Sequence, residues 1–222
     1  MKWADLELPW QICFEEAWAG YCAGSLPIGA AIFDSSGQLL ARGRNHIYDD
    51  QAAPGQICQN QLAHAELNTL LQVDRRHFDL HSCTLYTSME PCPLCMGAIY
   101  MSGIRTIHYA ARDGYAGSTD QLGTTPYLSR KKIKVFGPGD PSLETILLGV
   151  QAVSETRRLH ITGVDLFETV VGAWRDICPE GVRFGEFLAA EGQLPRWVDS
   201  QRGPAWVFDT LSEKLALVSA SN

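Results

Sequence analysis

Apolar side chains recur at helical spacing through residues 8–23 (LPWQICFEEAWAGYCA), with no proline beyond the first turn, and predict a helix. The pattern then shortens. PIGAAIFD (27–34) and QLLARGRNH (38–46) flank the turn signal SSG and predict a β-hairpin. Residues 47–61 are polar, contain Pro54 and Gly55, and read as a loop. AHAELNTLLQV (63–73) predicts a second helix and SCTLYTSM (82–89) a strand. PLCMGAIYMSG (93–103) predicts a third helix ending at Gly103, with the strand IRTIHYAA (104–111) directly after it. KIKVF (132–136) supplies a fifth strand.

Strands and helices therefore alternate from about residue 27 to 111, the arrangement of a layered α/β sheet. Gly137, Pro138, Gly139 and Pro141 mark a boundary, dividing a domain over 1–139 from a mostly helical extension over 140–222. Within the extension, 164–176, 181–191 and 209–220 are the predicted helices. Trp174, Phe187, Trp197 and Trp206 would be costly to leave in water, so the extension is expected to pack on the core. There is no internal repeat and no low-complexity segment.

Composition narrows the class. With 45% hydrophobic and 19% charged residues, the 222-residue chain is ordinary globular protein. The net charge of −7, heavier after residue 140, gives no general attraction to nucleic acid or anionic membranes. No apolar run approaches the length of a membrane span, and the N-terminus lacks the apolar stretch of a secretory signal, so a cytoplasmic location is expected. Seven cysteines, an odd number, disfavour a disulfide framework. Cys13, Cys22, Cys58, Cys83 and Cys178 are expected as buried thiols, which leaves Cys92 and Cys95 to be explained.

Those two lie three apart at the start of a predicted helix, a spacing that brings both side chains to one face. Pro93 suits the first helical position, and the helix N-terminus favours the thiolates a metal requires. CxxC alone is ambiguous between a redox pair and half of a structural zinc site. Adding His64 gives a Cys₂His set with a fourth tetrahedral position open, the pattern of catalytic zinc. A structural site would need a fourth ligand, and the spacing of the candidates Cys83 and His108 does not favour either. A redox pair leaves His64 and Glu66 unexplained. Glu66 alone would read as a complement to the helix dipole. Beside a ligand histidine it reads as a proton shuttle, because two thiolates cancel the metal's charge and weaken its effect on bound water.

HAE (64–66) with EPCPLC (90–95) resembles the signature of the zinc-dependent cytidine deaminase-like superfamily, closest to its guanine deaminase and tRNA adenosine deaminase branches. PIGAAI resembles that family's first strand, Asn45 in RGRNH its substrate-contacting asparagine, and MGAIYMSGIRTIHYAARD its third helix and fourth strand. The likeness covers about residues 25–120. It implies a three-layer α/β/α fold with a mixed five-stranded sheet, one zinc per chain on His64, Cys92 and Cys95, and a homodimer. It further implies that Glu66 protonates a ring nitrogen and that ammonia leaves after a second protonation, with Asn45 and the Ala65 backbone N–H on the substrate. Met89, Glu90 and Pro91 would shape the pocket wall, Glu90 as either a structural or a substrate-contacting group. YAGSTDQLG (115–123) can be laid over a specificity loop, which makes Asp120 either the reader of guanine's paired N–H donors or a solvated loop aspartate beside Gly117 and Gly123. His46 is expected to face away from the site, and His77, His81, His108 and His160 to be ordinary surface or core residues.

Two departures stand out. Eighteen residues separate Asn45 from His64, more than in the close relatives, so the 48–61 insertion should lie near the pocket mouth. The segment after residue 140 resembles no named family. The leading expectation is hydrolytic deamination of a free nucleobase or small nucleoside-like compound, guanine first. A tRNA adenosine deaminase is the alternative, with Arg130, Lys131, Lys132 and Lys134 as a phosphate contact, although such a cluster equally suits a solvated edge and the acidic second part opposes a long anionic ligand. A non-catalytic zinc module is a third reading, disfavoured by the intact Glu66.

Overall fold

A computed structural model describes residues 1–74, 76–163 and 165–220. The predicted hairpin forms as β1 (Gly29–Phe33) and β2 (Leu39–Arg44), after helix α1 (Leu8–Ala23). Helix α2 (Ala65–Leu70), strand β3 (Thr84–Met89), helix α3 (Pro93–Ser102), strand β4 (Thr106–Ala111) and strand β5 (Lys134–Phe136) follow. The sheet order is β2-β1-β3-β4-β5, antiparallel on the hairpin side and parallel from β3 to β5, hence mixed and five-stranded.

Alternation along the strands decides which helices cover which face. Ile32, Leu85 and Ile107 point to one side and pack with Met96 and Ile99 of α3. Ala31 and Phe33 point to the other and meet Ile12 and Cys13 of α1. The close approach of α1 to β1 requires Gly29, where a Cβ would stand 2.3 Å from the Cys13 carbonyl oxygen. Arg130 and Lys132 are exposed just before β5 and Lys134 at its start, Lys131 bonds the Tyr100 carbonyl, and charges beside an edge strand discourage strand pairing.

Beyond Phe136 lie five helices among the described residues: α4 (Pro141–Thr162), α5 (Phe167–Ile177), α6 (Pro179–Glu191), α7 (Gln193–Asp199) and α8 (Pro204–Ala220). α4 and α7 were not among the helices predicted from the pattern. α4 starts where Asp140 Oδ1 accepts the Ser142 N–H and Pro141 takes the first helical position. The largest apolar cluster joins Phe14, Trp18 and Tyr21 of α1 and Ala110 of β4 to Leu143, Ile146 and Leu148 of α4, Val171 and Trp174 of α5, and Phe208 of α8. α4 therefore lies on the same side of the sheet as α1, opposite α2 and α3.

Cys13, Cys83 and Cys178 are buried as expected, whereas Cys22 and Cys58 are only half-buried. His108 stacks between Tyr86 and Phe136, and His77 and His81 are exposed. The His160 side chain lies outside the described residues. Among the described residues no helix is long and apolar enough to cross a membrane.

Candidate active site

Two helix N-termini converge at the carboxyl end of the parallel strands. His64 is the N-cap of α2 and Cys92 the N-cap of α3, both in extended backbone; Pro93 opens α3 and Cys95 sits in its first turn. His64 Nδ1 is 3.5 Å from the sulfur of Cys92 and 3.5 Å from that of Cys95. Bonds of about 2.0–2.1 Å to nitrogen and about 2.3 Å to sulfur, at tetrahedral angles, place the two ligand atoms about 3.5 Å apart, so the triad fits zinc. All three ligand atoms lie within 4.8 Å of one another, and among the described residues no fourth His, Cys, Asp or Glu completes the group. Cys83 instead bonds the Asp79 carbonyl, and His108 is held in its aromatic stack. The donor set is that of a catalytic site with one open position.

The electrostatics match. The Cys95 thiol and then His64 hydrogen-bond the Cys92 sulfur and hold its pKa down to about 4. Cys95 is pushed the other way, first by that bond to Cys92 and then by burial, so the metal-free pair keeps one proton. His64 is shifted upward, chiefly by the Cys92 sulfur. Glu66 is 4% exposed, and burial followed by the negative charge of Cys92 raises its pKa. Its Oε1 accepts from the Thr87 hydroxyl at 3.2 Å and its Oε2 from Cys95 at 3.3 Å. A buried carboxylate with a raised pKa, touching a metal ligand, is suited to holding and releasing a proton.

Asn45 is fully buried. Its Oδ1 accepts from the Ser25 hydroxyl at 2.7 Å and the Ile47 N–H at 3.0 Å. Because a backbone N–H can only donate, these bonds fix the amide orientation and leave Nδ2 as a buried donor without a protein partner. Ala65 is the first residue of α2, so its N–H has no intrahelical acceptor. His46 is turned aside onto Asp49, which also pairs with Arg44 and fixes the start of the 47–61 loop.

Glu66, His64 and Cys92 open into a cavity of about 250 Å³. Ile47, Tyr48 and Gln61 of the insertion line it, beside Met89 and Glu90. Asp120 does not. It is exposed on a short turn, because the preceding Thr119 is tied through its N–H and hydroxyl to Glu90 Oε1, which carries the chain past the cavity before Asp120 is reached. The acids that line the cavity beside Glu66 and Glu90 are Asp113 and Glu155 of α4. Glu90 spends its carboxylate on Thr119 and the Asp113 N–H, and so fastens the 113–119 loop.

The rest of the wall was missed by sequence reasoning. Gln151, Glu155 and Arg158 of α4 and Val170 and Trp174 of α5 all face the cavity. Trp174 Nε1 donates to Asp113 Oδ1 at 2.9 Å, linking α5 to the 113–119 loop. Residues 151, 155 and 158 stand at i, i+4 and i+7, one face of a helix, and that spacing was the available signal.

Comparison with known proteins places this arrangement. Residues 5–111 match the family described as the cytidine and deoxycytidylate deaminase zinc-binding region. A probable cytosine deaminase of Schizosaccharomyces pombe is 30% identical over 124 residues, 55% of this chain and 71% of that protein. The chain belongs to this deaminase family. It is a zinc-dependent enzyme of the class that hydrolyses C–N bonds. The guanine deaminase of Bacillus subtilis is 34% identical over 87 residues, 38% of this chain and 50% of that protein. Among solved structures, a mutant of NE0047 in complex with 8-azaguanine is similar at a TM-score of 0.50 and 26% identity, covering 66% of this chain and 83% of that one. The family match ends at residue 111, so α4 and α5, which close the cavity of this deaminase, lie outside it.

Proposed function

We propose that the protein deaminates a free nucleobase or a small base-like heterocycle, with guanine the leading substrate. The observation that carries this is the closure of the metal-site cavity by α4 and α5. At about 250 Å³ it is below the usual range of roughly 300–1,000 Å³ for sites that take drug-sized ligands, and it suits a single heterocycle. Asp113 and Glu155, the latter paired with Arg158, supply acceptors for a ligand rich in N–H donors. The likeness to a guanine deaminase and to an 8-azaguanine complex supports the purine choice.

In this reading His64, Cys92 and Cys95 hold zinc, which when bound acidifies a water and so supplies the nucleophile. Glu66 takes one proton from the water and delivers it to the ring nitrogen beside the reacting carbon, then takes the second from the hydroxyl that has added to that carbon and delivers it to the departing amine. Its buried, proton-retaining carboxylate suits both transfers. The free Nδ2 of Asn45 donates to the substrate, and the Ala65 N–H is a second donor at the head of α2. Glu90 and Trp174 keep the 113–119 loop against the cavity. A homodimer in the cytoplasm belongs to the same reading, and sedimentation would test the dimer.

Ammonia release by the zinc-loaded protein, measured on guanine, cytosine, adenine, their nucleosides, triazines and a tRNA anticodon stem-loop, tests the proposal. Turnover is expected on guanine and not on the stem-loop. Activity confined to the stem-loop would overturn it.

A further inference from the structure

Gln151 is 3% exposed, lines the cavity, and its side-chain Oε1 has no hydrogen-bond partner in the protein. A buried carbonyl without a donor is costly, and at a binding site it marks where a ligand donor belongs. Its neighbours on the same face of α4 are otherwise engaged. Arg158 Nε donates to Glu155 Oε2 at 2.6 Å, and Arg158 also bonds the hydroxyl of Tyr48 at the start of the insertion. Of these three, Gln151 is the residue whose buried acceptor has no partner in the protein.

Its position decides what it reads. The metal triad and Glu66 come from α2 and α3 on one side of the sheet, and they act on the amino-bearing carbon. Gln151 comes from α4, on the opposite side. A flat heterocycle with its reacting carbon at the triad therefore turns its remote edge toward Gln151. In a free base that edge carries the ring N–H that a sugar replaces in the nucleoside.

We propose that Gln151 Oε1 accepts a hydrogen bond from this ring N–H and makes the enzyme select free bases over N-substituted ones. The assignment rests on the deaminase reading of the cavity given above. It places a specificity-determining residue in α4, outside the segment that matches the family.

The test uses the zinc-loaded full chain, and whichever of guanine and cytosine the wild type turns over faster, with its analogue methylated at the glycosidic nitrogen. Wild type should prefer the free base. Gln151→Leu should lower kcat/KM for the free base roughly tenfold, mainly through KM, as expected for one lost hydrogen bond with its orphaned partner. The same variant should leave the methylated analogue unchanged, which erases the preference. Zinc content should stay at one per chain, and Tm should equal or exceed that of wild type because an unsatisfied carbonyl has been removed. Gln151→Met, closer in length, should behave alike. Retention of the preference in both variants would overturn the assignment. So would a fall in Tm with both substrates losing activity in parallel, which is the mark of a structural role. If wild type releases ammonia from no base, the assignment and the proposed function fail together; if it does so and the variants match it, only Gln151 is displaced.

Discussion

Cys92 and the five cysteines outside the site differ in one physical respect, the company each sulfur keeps. Cys92 is held near a pKa of about 4 by the Cys95 thiol and His64, whereas burial pushes the thiols of Cys13, Cys22, Cys83 and Cys178 upward. At pH 6, above its own value and below theirs, Cys92 is a thiolate in metal-free protein and those four remain thiols. After chelation, iodoacetamide at pH 6 should therefore modify Cys92 ahead of those four, and reloading zinc should protect it; peptide mapping reads both. Modification spread evenly over these five thiols would contradict this electrostatic picture. The residues most legible in the sequence were those whose geometry is local. His64 and Glu66 share one helix start, and Cys92 and Cys95 share another. Asp120 was not legible, because its direction depends on Thr119 reaching across to Glu90, a contact 29 positions back in the chain.

The strands and the first three helices were legible for the same reason: each is a short run rich in apolar residues bounded by local signals, such as Gly24 after α1, SSG after β1, and Pro93 and Gly103 at the two ends of α3. α4 hid itself. It buries Glu144, Thr145, Gln151, Ser154 and Glu155 together with Leu143, Ile146, Leu147 and Leu148, so the sequence shows no clean division into two faces. Two of those polar residues, Gln151 and Glu155, face the cavity, and Glu144 pairs with Arg112. The polar groups that serve the site and its surroundings are thus what blurred the helix. α4 and α6 cross on small residues, and a Cβ at Gly185 would stand 2.6 Å from the Cβ of Ala152, one residue beyond Gln151. Gly185→Val should force the helices apart and destabilise the protein by about 1–3 kcal/mol, the usual cost of overpacking. Urea unfolding should show a lower midpoint at unchanged m, and kcat/KM should fall beyond what the unfolded fraction explains because α4 moves at the cavity wall. An unchanged midpoint would show that the crossing has slack.

At the scale of the whole molecule, the boundary read at Gly137–Pro141 separates two stretches of sequence that share one apolar cluster. Phe14, Trp18, Tyr21 and Ala110 are covered by side chains of α4, α5 and α8. A chain ending after Gly139 would expose them and would lose the Gln151, Glu155 and Trp174 walls. Such a chain should be recovered mainly as aggregate, and any soluble fraction should release no ammonia from bases. A soluble, fully active truncation would show that the helices are dispensable.

The most direct measurement is made on Glu66→Gln. The amide keeps the shape of the side chain and cannot carry the proton, so metal analysis should find about one zinc per chain, as in wild type, while ammonia release from the best base falls by about 100-fold or more. Zinc retained together with more than about a tenth of wild-type kcat would mean that another group moves the protons and that the chemistry assigned to this cavity is wrong.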